Sequence, residues 1–171
     1  MNIEQHLLDR HLDIGLHRPV IDEVNGVASF YLWNLSGCLV GYQQYRPEAD
    51  KKQKNDPRDG RYFTYRAKNT IAVWGLESLH LSDTIFVCEG IFDACRMTEI
   101  GCSAIAILSN NSGWDLRNWF GSLNRKVVAI CDNNAAGRQL AKFGDYSVIT
   151  DELDLGDSSE EYVISLKQKY C

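Results

Sequence analysis

Apolar positions change their spacing along this chain, and the spacing predicts two kinds of structure. In residues 2–14 they fall on one face of a short amphipathic helix: Ile3, Leu7, Leu8, Leu12 and Ile14. Runs rich in β-branched and aromatic residues follow at 20–24, 28–33 and 38–45, separated by Asn25-Gly26 and by residues 34–37. These runs predict an antiparallel meander. Residues 51–60 are polar and predict a loop, after which a strand resumes at 61–65.

The second half of the chain has a different pattern. Compact apolar runs at 84–88, 104–108, 127–131 and 147–150 alternate with helix-like stretches at 91–100, 114–120 and 135–143, and a last helix is expected over 159–169. Strands that alternate with helices predict a mainly parallel sheet covered on both faces. The expected fold class is therefore α/β: a small N-terminal mixed α+β lobe with antiparallel strands (1–80), then a domain with a four-stranded, mainly parallel sheet flanked by helices (81–171).

Composition places the chain among globular proteins. Of its 171 residues, 44% are hydrophobic and 24% are charged, and no apolar run approaches the length of a membrane span. We therefore expect a cytoplasmic protein with no membrane partner. The six cysteines form no CxxC pair and no Cys/His cluster with zinc spacing, so buried free thiols are expected.

The net charge of −5 is unusual for a protein that binds nucleic acid, because affinity for phosphates comes largely from lysine and arginine. The charges are, however, segregated. Basic residues outnumber acidic ones between 46 and 69, whereas residues 151–161 contain acids and no base. The basic segment also carries tyrosines (Tyr42, Tyr45, Tyr62 and Tyr65 lie in or beside it), which either pack on the sheet or grip a single strand.

Polar residues follow each predicted parallel strand: Glu89-Gly90, Ser109-Asn110-Asn111, Asp132-Asn133-Asn134, and the acidic residues from 151 to 157. Ligands of open α/β sheets bind at the carboxyl ends of the strands, so these residues are expected to meet at one edge. Carboxylates brought together repel one another unless a cation joins them, and oxygen ligands suit magnesium. From spacing alone, an ordinary role for Glu89, Asp93 and Asp132 as strand-end or helix-start residues fits equally well.

Two segments resemble the motifs of the TOPRIM family. Residues 84–94, TIFVCEGIFDA, resemble the first motif, an apolar strand, Glu-Gly and a helix bearing Asp; residues 127–138, VVAICDNNAAGR, resemble the second, Asp-x-Asp-x-x-Gly-Arg. Residues 154–163 look like the acidic segment that closes the domain in primases. With the first lobe included, where GYQQYR, RYFT and AVWGL stand in order, the chain resembles the catalytic core of bacterial and phage DNA primases.

That resemblance implies roles for particular residues. Glu89 would be a metal-binding or acid/base carboxylate near the reacting 3′ hydroxyl, Asp132 the main metal ligand, and Asp93 and Asp157 supporting acids. Asn134 stands where the family has a second Asp and would ligate through a neutral oxygen. The cofactor implied is Mg²⁺, with Mn²⁺ as the alternative. Contacts to nucleic acid or nucleotide are expected from Arg46, Arg61, Tyr62, Lys68, Asn110 and Arg138.

The sequence is compatible with three functions. The first is a minimal primase of a phage or mobile element, which would use a single-stranded DNA template and nucleoside triphosphates. The chain has no zinc pattern and no phosphate-binding Walker sequence, so a helicase or a replication initiator is the expected partner. The second is a catalytically silent TOPRIM protein that binds or regulates a replisome, which Asn134 favours. The third is a stand-alone TOPRIM nuclease.

Overall fold

The computed structural model describes residues 2–51, 56–108, 113–135, 137–150 and 154–171. Two short helices, α1 (Ile3–Asp9) and α2 (Ile14–His17), precede a four-stranded antiparallel sheet. Its strands are β1 (Val20–Asp22), β2 (Val27–Trp33), β3 (Leu39–Tyr45) and β4 (Tyr62–Arg66), in the order β1-β2-β3-β4. The expected meander is confirmed.

The single helix expected over 2–14 is wrong, because the chain breaks at His11. His11 has a left-handed φ of 65°, and its N–H donates to the carbonyl of Leu8 while that of Leu12 donates to the carbonyl of Leu7. This is the pattern of a Schellman ending. The break turns Leu12 into the core, and the carboxylate of Asp13 then caps α2 by accepting from the N–H of Leu16.

The second half alternates strands with helices. Its elements are β5 (Ile85–Cys88), α3 (Ile91–Glu99), β6 (Ser103–Ala106), α4 (Trp114–Ser122), β7 (Val127–Cys131), β8 (Tyr146–Ile149) and α5 (Glu160–Tyr170). The four strands are parallel, in the order β6-β5-β7-β8. The expected α/β fold class is confirmed. In the described residues, 3₁₀ helices lie at Pro57–Asp59 and Leu76–His80 in the first lobe and at Gly137–Phe143 and Leu155–Asp157 in the second half.

The helix expected over 135–143 is a 3₁₀ helix rather than an α-helix. Its buried residues, Gly137, Leu140 and Phe143, recur every three positions, which is the period of a 3₁₀ helix. The 3₁₀ turn therefore places all three in line on the core side, whereas an α-helix would spread them over about 120°.

Side chains of the parallel sheet alternate between two cores. Phe86, Val128 and Ile130 pack on one face with α3, α5 and residues of the first lobe, whereas Val87 and Ala129 pack on the other with α4 and the 3₁₀ helix Gly137–Phe143. The first lobe thus shares a core with the second. A backbone bridge between Trp74 of the first lobe and Ala106 of β6 reinforces this junction. The domain boundary expected near residue 80 stays a prediction.

Buried thiols were expected at all six cysteines, and this is wrong for two. Cys88, Cys95, Cys102 and Cys131 are buried, but Cys38 and Cys171 are exposed. Among the described helices, none combines the length and apolarity needed to cross a bilayer.

Candidate active site

A cleft of about 240 Å³ lies where the parallel strands end against the first lobe. Three of its lining residues are the acids Glu89, Asp93 and Asp154, and the first lobe contributes Arg10, Gln43 and Tyr62. Glu89 directly follows β5, so its position is set by a strand with four buried residues. The cleft therefore joins the acidic strand ends to one face of the antiparallel sheet.

Asp93 connects two of the strand-end segments. One carboxylate oxygen, Oδ2, accepts from the N–H of Gly90 at 3.1 Å, and the other, Oδ1, accepts from the N–H of Gly156 at 2.9 Å. Burial raises the pKa of Asp93 to about 7, with the negative charges of Asp154 and Asp132 adding to the effect and the two hydrogen bonds opposing it. The site thus holds an acid that titrates near neutrality.

Asp132 follows β7 and lies beside the same cleft. Its pKa is raised by burial first and by the charge of Asp154 second. The backbone around it is tightly packed, because a side-chain carbon at Gly137 would lie 2.5 Å from the Asp132 carbonyl oxygen and 2.8 Å from its nitrogen. Gly137 is therefore the residue that lets the following turn fold against Asp132.

Asn134 does not present a free amide oxygen. Its Oδ1 accepts from the N–H of Gly137 at 2.7 Å and so closes the turn that leads into the 3₁₀ helix. Arg138, one turn on, is exposed and donates from Nη2 to Oδ1 of Asn133. Both side chains have structural partners in the loop that follows Asp132.

Asp157 lies at the outer side of the acidic group. Its side chain is 57% exposed and pairs with Arg10, whose Nη1 donates to Oδ1 at 3.2 Å. Asp154 is the acid of this segment that lines the cleft, and its Oδ1 accepts from the N–H of Asp157. Of the residues that line the cleft, the acid from this segment is therefore Asp154 rather than the expected Asp157.

Arg10 is the site residue that sequence reasoning missed. Its guanidinium lies 4.6 Å from the centre of the Phe92 ring, and Nη2 lies near Gly156. Arg10 caps the end of α1, more than seventy positions before the acids, and no motif in its surroundings marks it. Only the packing of the two lobes brings it to the cleft.

The residues expected to contact nucleic acid do not all lie at the acidic cleft. Tyr62 lines the cleft, and burial together with the neighbouring Tyr45 raises its pKa to about 12. Arg61 precedes it and donates from Nε to the carbonyl of Ala49. Arg46 instead lines a separate cleft of about 410 Å³ beside Glu23.

Lys68 is an exposed residue just past the end of β4. Asn110 lies outside the described residues. The structure thus brings together Glu89, Asp93, Tyr62 and, beside them, Asp132, but it does not bring Arg46 to the same cleft.

The donor set fits a hard cation that is only partly coordinated by protein. In the described part of the chain, no three histidine, cysteine or acidic residues are grouped closely enough to form a complete metal site. Magnesium, however, is usually held by one or two carboxylates and completes its shell with water and phosphate. Burial and mutual repulsion raise the pKa of Asp93 and Asp132, and a divalent cation would relieve this repulsion.

The chain folds like solved primase structures. The Aquifex aeolicus primase, comprising zinc-binding and RNA polymerase domains, superimposes with a TM-score of 0.62 at 16% identity over 88% of this chain and 41% of that one. The DnaG primase catalytic domain bound to single-stranded DNA gives 0.59 at 16% identity, over 96% and 60%. The primase fragment of the bacteriophage T7 primase-helicase gives 0.60 at 12% identity, over 92% and 68%.

The fold is that of a primase catalytic core. No family model and no curated protein matches the sequence itself, so the likeness lies in the structure. The chain spans about two fifths of the Aquifex primase and about three fifths of the DnaG catalytic domain. Within the primase-core fold, the acidic cleft lies at the carboxyl ends of the parallel strands, where ligands of open α/β sheets bind.

Proposed function

We propose that this chain is a primase-type nucleotidyltransferase, which joins ribonucleotides on a single-stranded DNA template. The observation that carries the proposal is the acidic cleft, which opens between the strand ends and the first lobe of a primase-core fold. One of the structural neighbours holds single-stranded DNA, which supports the choice of template.

The proposed reaction is attack of a ribonucleotide 3′ hydroxyl on the α-phosphate of an incoming triphosphate, with pyrophosphate leaving. Glu89 and Asp132 would hold Mg²⁺, or Mn²⁺, which when bound activates the hydroxyl and stabilises the leaving group's charge. Asp93 positions the ends of both acidic segments through Gly90 and Gly156. Arg10 provides positive charge at the wall of the cleft, where a triphosphate would enter.

Specific observations favour a second candidate, a silent relative that binds without catalysing. The amide of Asn134 replaces a carboxylate of the family motif and is already engaged by the N–H of Gly137. The site therefore has less negative charge for metal than the motif implies.

A phage or mobile-element setting, and a helicase or replication initiator as partner, remain parts of the proposal.

Incorporation of labelled ribonucleotides on single-stranded DNA of varied sequence, with Mg²⁺ and Mn²⁺ compared, tests the catalytic proposal. Asp132→Asn should reduce the alkali-labile RNA product by about 100-fold or more, because the main proposed metal ligand loses its negative charge. Asp115→Asn, which changes an exposed acid on α4, is the matched control and should leave synthesis unchanged. Full synthesis by Asp132→Asn would contradict the assignment of this residue.

Thermal melting separates the enzyme from the silent protein. A ligand at ten times its Kd stabilises the native state by about 1.4 kcal/mol, which raises Tm by about 3 °C for a chain of this size. Millimolar Mg²⁺ should produce such a shift, and Asp132→Asn should remove it. A shift without any nucleotide incorporation would favour the silent protein, and no shift with either metal would argue against the enzyme.

A further inference from the structure

The outer face of the antiparallel sheet is an exposed aromatic surface that the acidic cleft does not use. Side chains of successive strand residues point to opposite faces, so Tyr31, Tyr42 and Tyr65 share the outer one. They are 37%, 37% and 53% exposed. With Val20 and Leu39 they line a shallow trough of about 590 Å³. We call the three tyrosines and this trough the tyrosine face.

The three tyrosines form one row across three strands. Tyr31 of β2 is paired with Tyr42 of β3, and Tyr42 is paired with Tyr65 of β4. The rings of Tyr42 and Tyr65 are stacked with centroids 5.6 Å apart and an interplanar angle of 29°. Large rings left half-exposed in a row on a sheet are the arrangement on which unpaired bases stack.

The chemistry around the row suits a polyanion with flat bases better than a protein partner. The trough residues that the structure describes include no charged side chain, and Ser29 and Gln44 offer hydrogen bonds to base edges. Cations stand at its margin. Arg58, which pairs with Asp56, interacts electrostatically with Tyr42, and the exposed Lys68 directly follows Ala67, which lines the trough. Phosphates could contact these side chains while bases rest on the rings.

The tyrosine face continues from the proposed site through the edge strand β4. Tyr62 of β4 lines the acidic cleft, whereas Tyr65 of the same strand lines the trough. Three residues of extended chain separate them, which is about 10 Å. A single strand that leaves the cleft can therefore cross the edge of the sheet onto the outer face.

We propose that the tyrosine face binds single-stranded nucleic acid by stacking two or three of its bases. The inference rests on the proposed function only for the identity of the strand, which would be the template beyond the cleft. The stacking itself requires neither metal nor catalysis.

A binding cycle in EDTA tests the proposal. The probes are a fluorescein-labelled oligothymidylate of about 20 nucleotides and an abasic oligomer of the same length, which keeps the phosphates and lacks the bases. Tyr65→Ser should weaken oligothymidylate binding about tenfold and leave abasic binding unchanged, and Tyr65→Phe should restore the affinity. The wild-type protein alone should bind oligothymidylate more tightly than the abasic oligomer, and this comparison requires no variant.

Tyr146→Ser is the matched control. Tyr146 is also 53% exposed, lies on a strand and contacts a second tyrosine ring, at 5.9 Å, but belongs to the other sheet. It should bind both probes like the wild type. Equal effects of Tyr65→Ser and Tyr146→Ser, or equal wild-type affinity for both probes, would overturn the proposal. A wild-type dimer that Tyr65→Ser dissociates in sedimentation would overturn it as well, by assigning the face to a second copy.

The outcomes also separate this inference from the proposed function. If the protein incorporates no nucleotide but shows the Tyr65-dependent preference for bases, the tyrosine-face proposal stands and the catalytic proposal fails. If the protein synthesises primers but Tyr65→Ser binds oligothymidylate like the wild type, only the tyrosine-face proposal fails.

Discussion

Replacing Asp93 with asparagine should change how the stability of this protein depends on pH. Burial is the main reason that the carboxyl group has a pKa of about 7 rather than its ordinary 3.8. Between these values the native state keeps a proton that the unfolded chain has released. The native state then binds more protons, so its stability falls as pH rises from about 4 to 7, and the deficit is constant above that range.

The magnitude follows from the two pKa values. Between pH 5 and pH 8, titration of Asp93 from 3.8 in the unfolded chain and about 7 in the native one removes about 2.5 kcal/mol from the free energy of unfolding. Asparagine keeps the size of the side chain but loses one of the two acceptors that Gly90 and Gly156 use. That loss costs about 1–3 kcal/mol at every pH, so it displaces the stability curve without changing its slope.

Urea unfolding in EDTA at pH 5, 6, 7 and 8 measures the effect. The stability of Asp93→Asn relative to wild type should rise by about 2.5 kcal/mol across the series. Asp56→Asn is the control, because hydrogen bonds from Arg58 lower the pKa of Asp56 to about 2. Its contribution is lost only as pH falls toward that value, so its difference from wild type should be flat between pH 5 and 8. A flat difference for Asp93→Asn would refute the reasoning.

Two further substitutions test the packing on which the site depends. Gly137→Ala should lower the free energy of unfolding in urea by about 1–3 kcal/mol, because the new carbon would meet Asp132 backbone atoms at 2.5–2.8 Å. Gly121→Ala is the control: it lies on α4 with open space around it and should be neutral or stabilising by up to about 1 kcal/mol. Similar values for both would contradict the close approach. His17→Ala should destabilise by about 2–4 kcal/mol, since its buried ring hydrogen-bonds Glu77 at 2.5 Å and packs on the Trp74 ring at 4.1 Å. A loss below about 0.5 kcal/mol would contradict that role.

The parts of the fold that could be predicted are those with a local cause. The strand Val127–Cys131 matches its predicted bounds because five buried residues are flanked by polar ones. Glu89 and Asp132 follow from the same logic, since residues just after parallel strands meet at one edge. Helix α5 lies within one residue of the expected range 159–169, and the hydroxyl of Ser159 caps it by accepting from the N–H of Tyr162.

The parts that could not be predicted depend on contacts between distant segments. Arg10 reaches the cleft because α1 packs in the core shared by the two lobes, with Ile3 and Leu7 fully buried. Arg46 has the charge expected of a phosphate ligand, but it directly follows β3 and lines a separate cleft together with Glu23. Composition identifies the basic segment, but only the sheet register decides which of its side chains share a face.

Asn134 shows how a motif position can be kept for its backbone role while its charge is lost. An asparagine or an aspartate oxygen could accept this hydrogen bond from Gly137. The bond therefore explains why a side-chain oxygen stands at position 134, but not why it belongs to an amide. What differs between the two residues is one negative charge beside Asp132. Asp154 already raises the pKa of both Asp132 and Asp93, so the cleft carries a third interacting acid from another strand end. A further carboxylate at 134 would add to this repulsion wherever no cation is bound, and the amide therefore favours the stability of the metal-free protein over its affinity for metal.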